Sequence, residues 1–311
     1  MINVIRPRKL SNHATIGVFT PSEPITAERK PRVAAGITYL ESQGYRVVTG
    51  ENYLKNWYYM GGTVEERVQD IHTLLDRDDV DALFASWGGK SCNQLLPYLD
   101  YRRFRERRKV LIGFSDSTCL ANAVYAKTGL VNFLGPNIVG KLDESDFSNL
   151  RFLQSPSSNA VLIGHDDAVT ILQTGECRGR LVGGTIGSLI HGVMNTEYEP
   201  NIDGCILFLE AGSMSPQLLD RELTYMNNAG KFQRIRGLII CGLVHSKDDR
   251  DWGGRPPLEI FLEKFSHLKI PIIQTPVIGH GKQKNPIMPV GALCLLDAKQ
   301  GILSLLEPIV E

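Results

Sequence analysis

The stretch Val110-Leu111-Ile112-Gly113-Phe114-Ser115-Asp116-Ser117 decides the fold. A short apolar run ends in glycine, a serine follows almost at once, and from Ser117 to about Lys127 the residues keep helical spacing. That is a buried strand feeding a helix, the βα unit of a parallel sheet. The alternation extends upstream. Ala82-Leu83-Phe84-Ala85-Ser86 reads as a strand ending at Trp87-Gly88-Gly89, and Val64, Val68, Ile71 and Leu75 mark an amphipathic helix before it. Tyr45 to Val48 is a further strand, preceded by a helix with Val33, Ile37 and Leu40 on one face and Gly44 at its end. Ile16-Gly17-Val18-Phe19 opens the series and runs into Thr20-Pro21-Ser22. An α/β domain over residues 1–145 follows.

Residues 146–178 lose this periodicity, with Ser155-Pro156-Ser157-Ser158-Asn159 at their centre, and read as a linker. Beyond them, glycine-punctuated apolar runs at 179–187, 205–209, 238–241, 270–273 and 293–296 predict a smaller, β-rich domain over 179–311 with two or three helices. Ser215-Pro216 supplies one of those helices with an N-cap and a proline at its first position.

At 311 residues the chain is long enough for two domains without staples. It carries 34 Lys plus Arg against 34 Asp plus Glu, so it lacks the positive field of a nucleic-acid binder. No apolar run reaches the roughly 18–20 residues of a membrane span, and Met1 to Arg8 lacks the apolar core of a signal peptide. Six cysteines, none in a C-x-x-C pair, read as reduced buried thiols of a cytoplasmic protein. The basic run Arg102 to Lys109 reads as a solvated face.

Ligands of open α/β sheets bind beyond the carboxyl ends of the strands. Ser115 stands there, in the setting of a nucleophile elbow, where the N–H of Asp116 can point at an oxyanion; a serine that merely caps a helix has the same local pattern. Gly88-Gly89 follows the neighbouring strand and lets backbone approach a ligand closely, or simply makes a tight turn. A serine nucleophile needs a base, and the base an acid that orients it. Of seven histidines, His280 alone lies between two glycines after an apolar strand, whereas His72 and His267 sit near helix ends. Glu210 ends the apolar run Ile206-Leu207-Phe208-Leu209, and a carboxylate there must be paired or at work.

With these residues in order, and with Tyr59-Met60-Gly61-Gly62-Thr63, Glu66-Arg67, Leu95-Leu96-Pro97-Tyr98-Leu99-Asp100, Gly135-Pro136, Leu181-Val182-Gly183-Gly184 and Pro289-Val290-Gly291 in register, the chain resembles the LD-carboxypeptidase family of serine peptidases over nearly its whole length. The resemblance implies a flavodoxin-like or amidotransferase-like parallel-sheet domain joined to a smaller β-rich domain, with the site in the cleft. It makes Ser115 the nucleophile, His280 the general base and Glu210 the orienting acid, with the amides of Asp116 and Gly89 as oxyanion hole. It implies no metal, no organic cofactor and a homodimer.

Family members that trim murein tetrapeptides carry an arginine immediately before the paired glycines, where Trp87 stands here. Trp87-Gly88-Gly89-Lys90-Ser91-Cys92-Asn93 is more similar to the microcin-immunity carboxypeptidases, which cleave peptidyl-nucleotide amides. On that likeness Trp87, Gly88 and Lys90 are substrate contacts, and the substrate is a small peptide or peptidyl nucleotide. The alternatives are a murein tetrapeptide carboxypeptidase and a binding protein that has lost turnover.

Overall fold

The computed structural model describes residues 2–138, 150–164, 167–212, 214–243, 254–280 and 286–311. The first half follows the predicted alternation in β1 (Thr15–Phe19), α1 (Lys30–Ser42), β2 (Arg46–Thr49), α2 (Val64–Asp76), β3 (Ala82–Ala85), β4 (Val110–Gly113) and α4 (Ser117–Thr128), and adds α3 (Tyr101–Arg107) and β5 (Asn132–Leu134), which the sequence reading did not single out. Every residue of β1, β3 and β4 is buried, as expected of strands covered by helices on both faces of a parallel sheet. Helix α2 begins at a capping box: Glu66 N donates to the Thr63 hydroxyl, and Thr63 N donates to the Glu66 carboxylate.

The second half holds β6 (Val161–Ile163), β7 (Thr170–Gln173), β8 (Glu176–Thr185), α5 (Ile186–Gly192), β9 (Ile206–Glu210), α6 (Pro216–Asn228), β10 (Gly237–Ile240), α7 (Pro257–Phe265), β11 (Ile272–Gln274), β12 (Met288–Val290), β13 (Leu293–Asp297) and β14 (Ile302–Leu305). The first sheet has the order β12-β5-β4-β3-β1-β2 and the second β6-β14-β13-β8-β9-β10-β11-β7.

Three features depart from the sequence reading. The segment read as a linker contains β6 and β7, which form the two edges of the second sheet, and the first residues of β8. These short edge strands are partly exposed and followed by further strands rather than by a helix, so no βα pattern announces them. The second domain is β-rich with three helices, as expected, but the sequence reading did not foresee its parallel centre: β8, β9, β10 and β11 run parallel with α5, α6 and α7 between them. Finally, β12 leaves the second half of the chain and pairs antiparallel with β5 at the edge of the first sheet.

The two sheets are tied where α4 meets the end of β8. Thr185 N donates to the Thr118 hydroxyl at 3.1 Å, and Asn122 Nδ2 donates to Gly183 O at 2.9 Å. This approach requires Gly184, where a Cβ would lie 2.5 Å from the Thr118 hydroxyl, while at Gly183 a Cβ would lie 1.9 Å from Phe208 O of the adjacent β9; both are at positive φ. The basic run is spent on the surface, with Arg107 to Asp78 at 2.7 Å, Arg103 to Asp76 and Arg108 to Glu311. Lys109 Nζ instead donates to the carbonyls of Leu74, at 3.0 Å, and Arg77 near the end of α2. No helix among the described residues is long and apolar enough to cross a membrane.

Candidate active site

In the first sheet β4, β3 and β1 are neighbours, so the loops beyond their carboxyl ends lie side by side. Ser115 follows β4 at φ 59°, a left-handed conformation that costs a side-chain-bearing residue about 1–3 kcal/mol and lifts its hydroxyl off the end of the sheet. Gly88 makes room for it: a Cβ there would sit 2.9 Å from Ser115 Cβ and 3.0 Å from its Oγ. Asp116 is the N-cap residue of α4, so its N–H belongs to the unpaired first turn.

From the second sheet come the other two residues. Glu210, the last residue of β9, is fully buried. Its Oε1 accepts from Gly212 N at 2.8 Å, His280 N at 3.3 Å and His280 Nδ1 at 2.9 Å, and its Oε2 accepts from the Thr185 hydroxyl at 2.9 Å. The other ring nitrogen of His280, Nε2, lies 3.0 Å from Ser115 Oγ. Phe114 covers the imidazole with ring centroids 5.1 Å apart. Burial pulls the His280 pKa down, but the hydrogen bond and charge of Glu210 outweigh it and leave the value above the ordinary 6.5.

The loop after β3 is held by a buried carboxylate and a buried guanidinium. Asp116 Oδ2 accepts from the Ser22 hydroxyl at 2.6 Å and from Ser91 N and Cys92 N at 2.8 Å, while Oδ1 accepts from the Ser188 hydroxyl at 3.0 Å. One side chain thus joins the loops after β1, β3 and β4 to α5. Arg67 works from the other side, with Nη1 donating to Pro21 O at 2.8 Å and Ser91 O at 3.2 Å and Nη2 to Gln94 Oε1 at 2.7 Å. Such charge-assisted bonds offset the desolvation of both ions and fix the backbone that follows Gly88-Gly89 against the loop after β1.

Residues 16–135 match the LD-carboxypeptidase N-terminal domain, and residues 178–296 match the LD-carboxypeptidase C-terminal domain. A provisionally named carboxypeptidase of Vibrio cholerae serotype O1 is 30% identical over 85% of this chain and 87% of its own. The chain belongs to the LD-carboxypeptidase family. Its similarity to the microcin C7 self-immunity protein MccF of Escherichia coli is 27% identity over 94% of this chain and 93% of that one. The structure of MccF in complex with glutamyl sulfamoyl guanosine superposes with a TM-score of 0.89 at 26% identity, covering 98% of this chain and 99% of that one. The murein tetrapeptide carboxypeptidase of Pseudomonas aeruginosa is 27% identical over 89% of this chain and 92% of its own. The protein is accordingly a carboxypeptidase with the two-domain fold of MccF.

In this LD-carboxypeptidase a cavity of about 370 Å3 opens over Ser115 and His280. Gly89, Lys90 and Asp116 line it, with Thr185, Gly212 and Met214 from the second half of the chain. Gly88 supports Ser115 and is not among the lining residues. Trp87 is not among them either: the Arg29 guanidinium sits 4.3 Å and the Arg32 guanidinium 5.3 Å from its ring centroid. The half-buried Trp87 ring thus packs against two guanidinium groups, a pair of cation–π contacts. Sequence reasoning passed over the Asp116 carboxylate, Arg67, Thr185 and Ser188. Arg67 offered a signal, a charged residue among the apolar positions of α2, but what it holds is visible only once Pro21, Ser91 and Gln94 converge on it. Among the described residues no group of three or more His, Cys, Asp and Glu side chains is placed to hold a metal ion.

Proposed function

We propose that this carboxypeptidase hydrolyses the C-terminal amide of a small peptide or peptidyl nucleotide through an acyl-enzyme on Ser115. One observation carries the reading: Ser115 Oγ, His280 Nε2, His280 Nδ1 and Glu210 Oε1 form an unbroken chain, with links of 3.0 and 2.9 Å, at the base of the cavity. Ser115 Oγ bonds to the substrate carbonyl carbon as its proton passes to His280 Nε2. The oxyanion falls to the N–H groups of Asp116 and Gly89, whose loop Asp116 and Arg67 hold rigid. As the carbonyl re-forms, the C–N bond breaks and His280 returns the proton to the leaving nitrogen. A water, deprotonated by His280, then attacks the ester, releasing the acid and restoring Ser115. Glu210 balances the imidazolium in both halves.

A fluorophosphonate, which phosphonylates activated serines, should label the wild type and leave Ser115→Ala unlabelled. Equal labelling of the two would sink the assignment. The pH dependence should follow His280, which accepts a proton only when neutral. Because Glu210 raises its pKa, kcat/KM is expected to fall on acidification with a midpoint above the ordinary 6.5. A flat profile down to about pH 5 would exclude His280 as the base.

Murein tetrapeptide is the second reading, supported by the packing of the Arg29 guanidinium against Trp87, which takes up part of the aromatic surface a nucleobase would use. Comparing kcat/KM for murein tetrapeptide with that for an aminoacyl-sulfamoyl adenosine decides between them. A cytoplasmic homodimer belongs to the same proposal; the six free thiols, five of them buried, support a reducing compartment.

A further inference from the structure

The cavity wall carries a second histidine–glutamate pair that the hydrolytic steps do not use. His191, in the last turn of α5, lines the cavity, and its Nε2 is 3.2 Å from Oε2 of Glu222 on α6. Glu222 is almost wholly buried, and its Oε1 accepts from Arg221 Nη2 at 3.0 Å. A buried carboxylate must be paired. Arg221 satisfies one oxygen, and the other holds the His191 ring in place. Asn93 Nδ2 donates to His191 O at 3.5 Å, which joins this wall to the helical turn that begins just after Lys90.

Lys90 and His191 are thus two basic side chains on one cavity. Asp116 is the one carboxylate among the described lining residues, and both its oxygens are already taken by Ser22, Ser91, Cys92 and Ser188. Nothing on the described cavity wall neutralises the Lys90 ammonium, whereas Ala211, Met214 and Leu218 make a separate apolar wall. A cleft open to solvent that carries an unpaired ammonium beside its nucleophile is complementary to a negative charge on the substrate.

We infer that Lys90 and His191 bind the anionic group of the leaving portion, with Glu222 as the positioning residue of the imidazole. This inference rests on the reading of Ser115 as the nucleophile. In a peptide the group is the terminal carboxylate; in an aminoacyl sulfamate it is the ionised sulfamate nitrogen. Two charge-assisted hydrogen bonds recognise either one.

The test measures how well ligands slow fluorophosphonate labelling of the wild type. The probes are a short peptide ending in D-alanine, the same peptide with a C-terminal carboxamide, and an aminoacyl-sulfamoyl adenosine. The acid or the sulfamate should protect at about 10- to 100-fold lower concentration than the carboxamide. Lys90→Met and His191→Gln should each reduce that ratio about tenfold, and Glu222→Gln should reduce it in the same sense. Measuring a ratio cancels any general loss of folded protein. Equal protection by all three probes in the wild type, or a ratio unchanged in both Lys90→Met and His191→Gln, overturns the inference. Absence of labelling in the wild type would instead overturn the assignment of Ser115, so the two failures are distinguishable.

Discussion

Ser115→Ala is expected to lower kcat/KM by about 10^4- to 10^6-fold, and His280→Ala by a similar factor. The two losses should not multiply in the double variant. Ser115 Oγ is the atom that bonds to the substrate, and its proton has one outlet, the imidazole nitrogen 3.0 Å away, so removing either end breaks the same step. What remains without them is stabilisation of the oxyanion by the backbone around Asp116 and Gly89. The backbone gives a control for folding. Ser115 stands at φ 59°, a conformation glycine adopts without strain, so Ser115→Gly should raise the denaturation midpoint while abolishing turnover. Steady-state kinetics and urea unfolding on the same preparations separate the two effects. More than about a tenth of wild-type activity in Ser115→Ala would show that another residue attacks the substrate.

Glu210→Gln is expected to lower kcat by about 10^3-fold, less than either change above. Every hydrogen bond that reaches Glu210 comes from a donor: His280 Nδ1, His280 N and Gly212 N at Oε1, and the Thr185 hydroxyl at Oε2. A glutamine keeps its oxygen toward the first three and turns its amide toward Thr185, whose hydroxyl can rotate and accept. The ring then keeps its orientation and tautomer but loses the charge that balances the imidazolium. The acidic limb of kcat/KM should therefore move to lower pH in Glu210→Gln, because the group that holds the His280 pKa up has gone and burial, which pulls it down, remains. An unshifted limb would mean that Glu210 does not face the catalytic imidazole in solution. Glu210→Ala leaves Gly212 N, His280 N and the Thr185 hydroxyl without their partner, so it should be destabilising as well as inactive.

The residues themselves made the first sheet and the candidate triad legible. Strands β1, β3 and β4 are continuous apolar runs bounded by glycine or a turn, and each is followed by a helix whose apolar spacing is local, so periodicity reveals them. Ser115, Glu210 and His280 each end or follow such a run, where parallel sheets place their ligands, and the family resemblance gave each a role. Tertiary structure alone decided the rest, because it depends on which distant segments meet. Strands β6, β7 and β12 have no helix after them to complete a βα pattern and exist through pairing with β14, β11 and β5. Trp87 offers an aromatic face in the sequence, and only the tertiary approach of Arg29 and Arg32 shows what packs against it. Asp116 reads in the sequence as the source of an oxyanion N–H, yet its carboxylate holds loops from three strands because burial demands donors and Ser22, Ser91, Cys92 and Ser188 converge there. A local pattern fixes which elements form. The partner of a buried charge is fixed by packing across the chain, which no window of sequence contains.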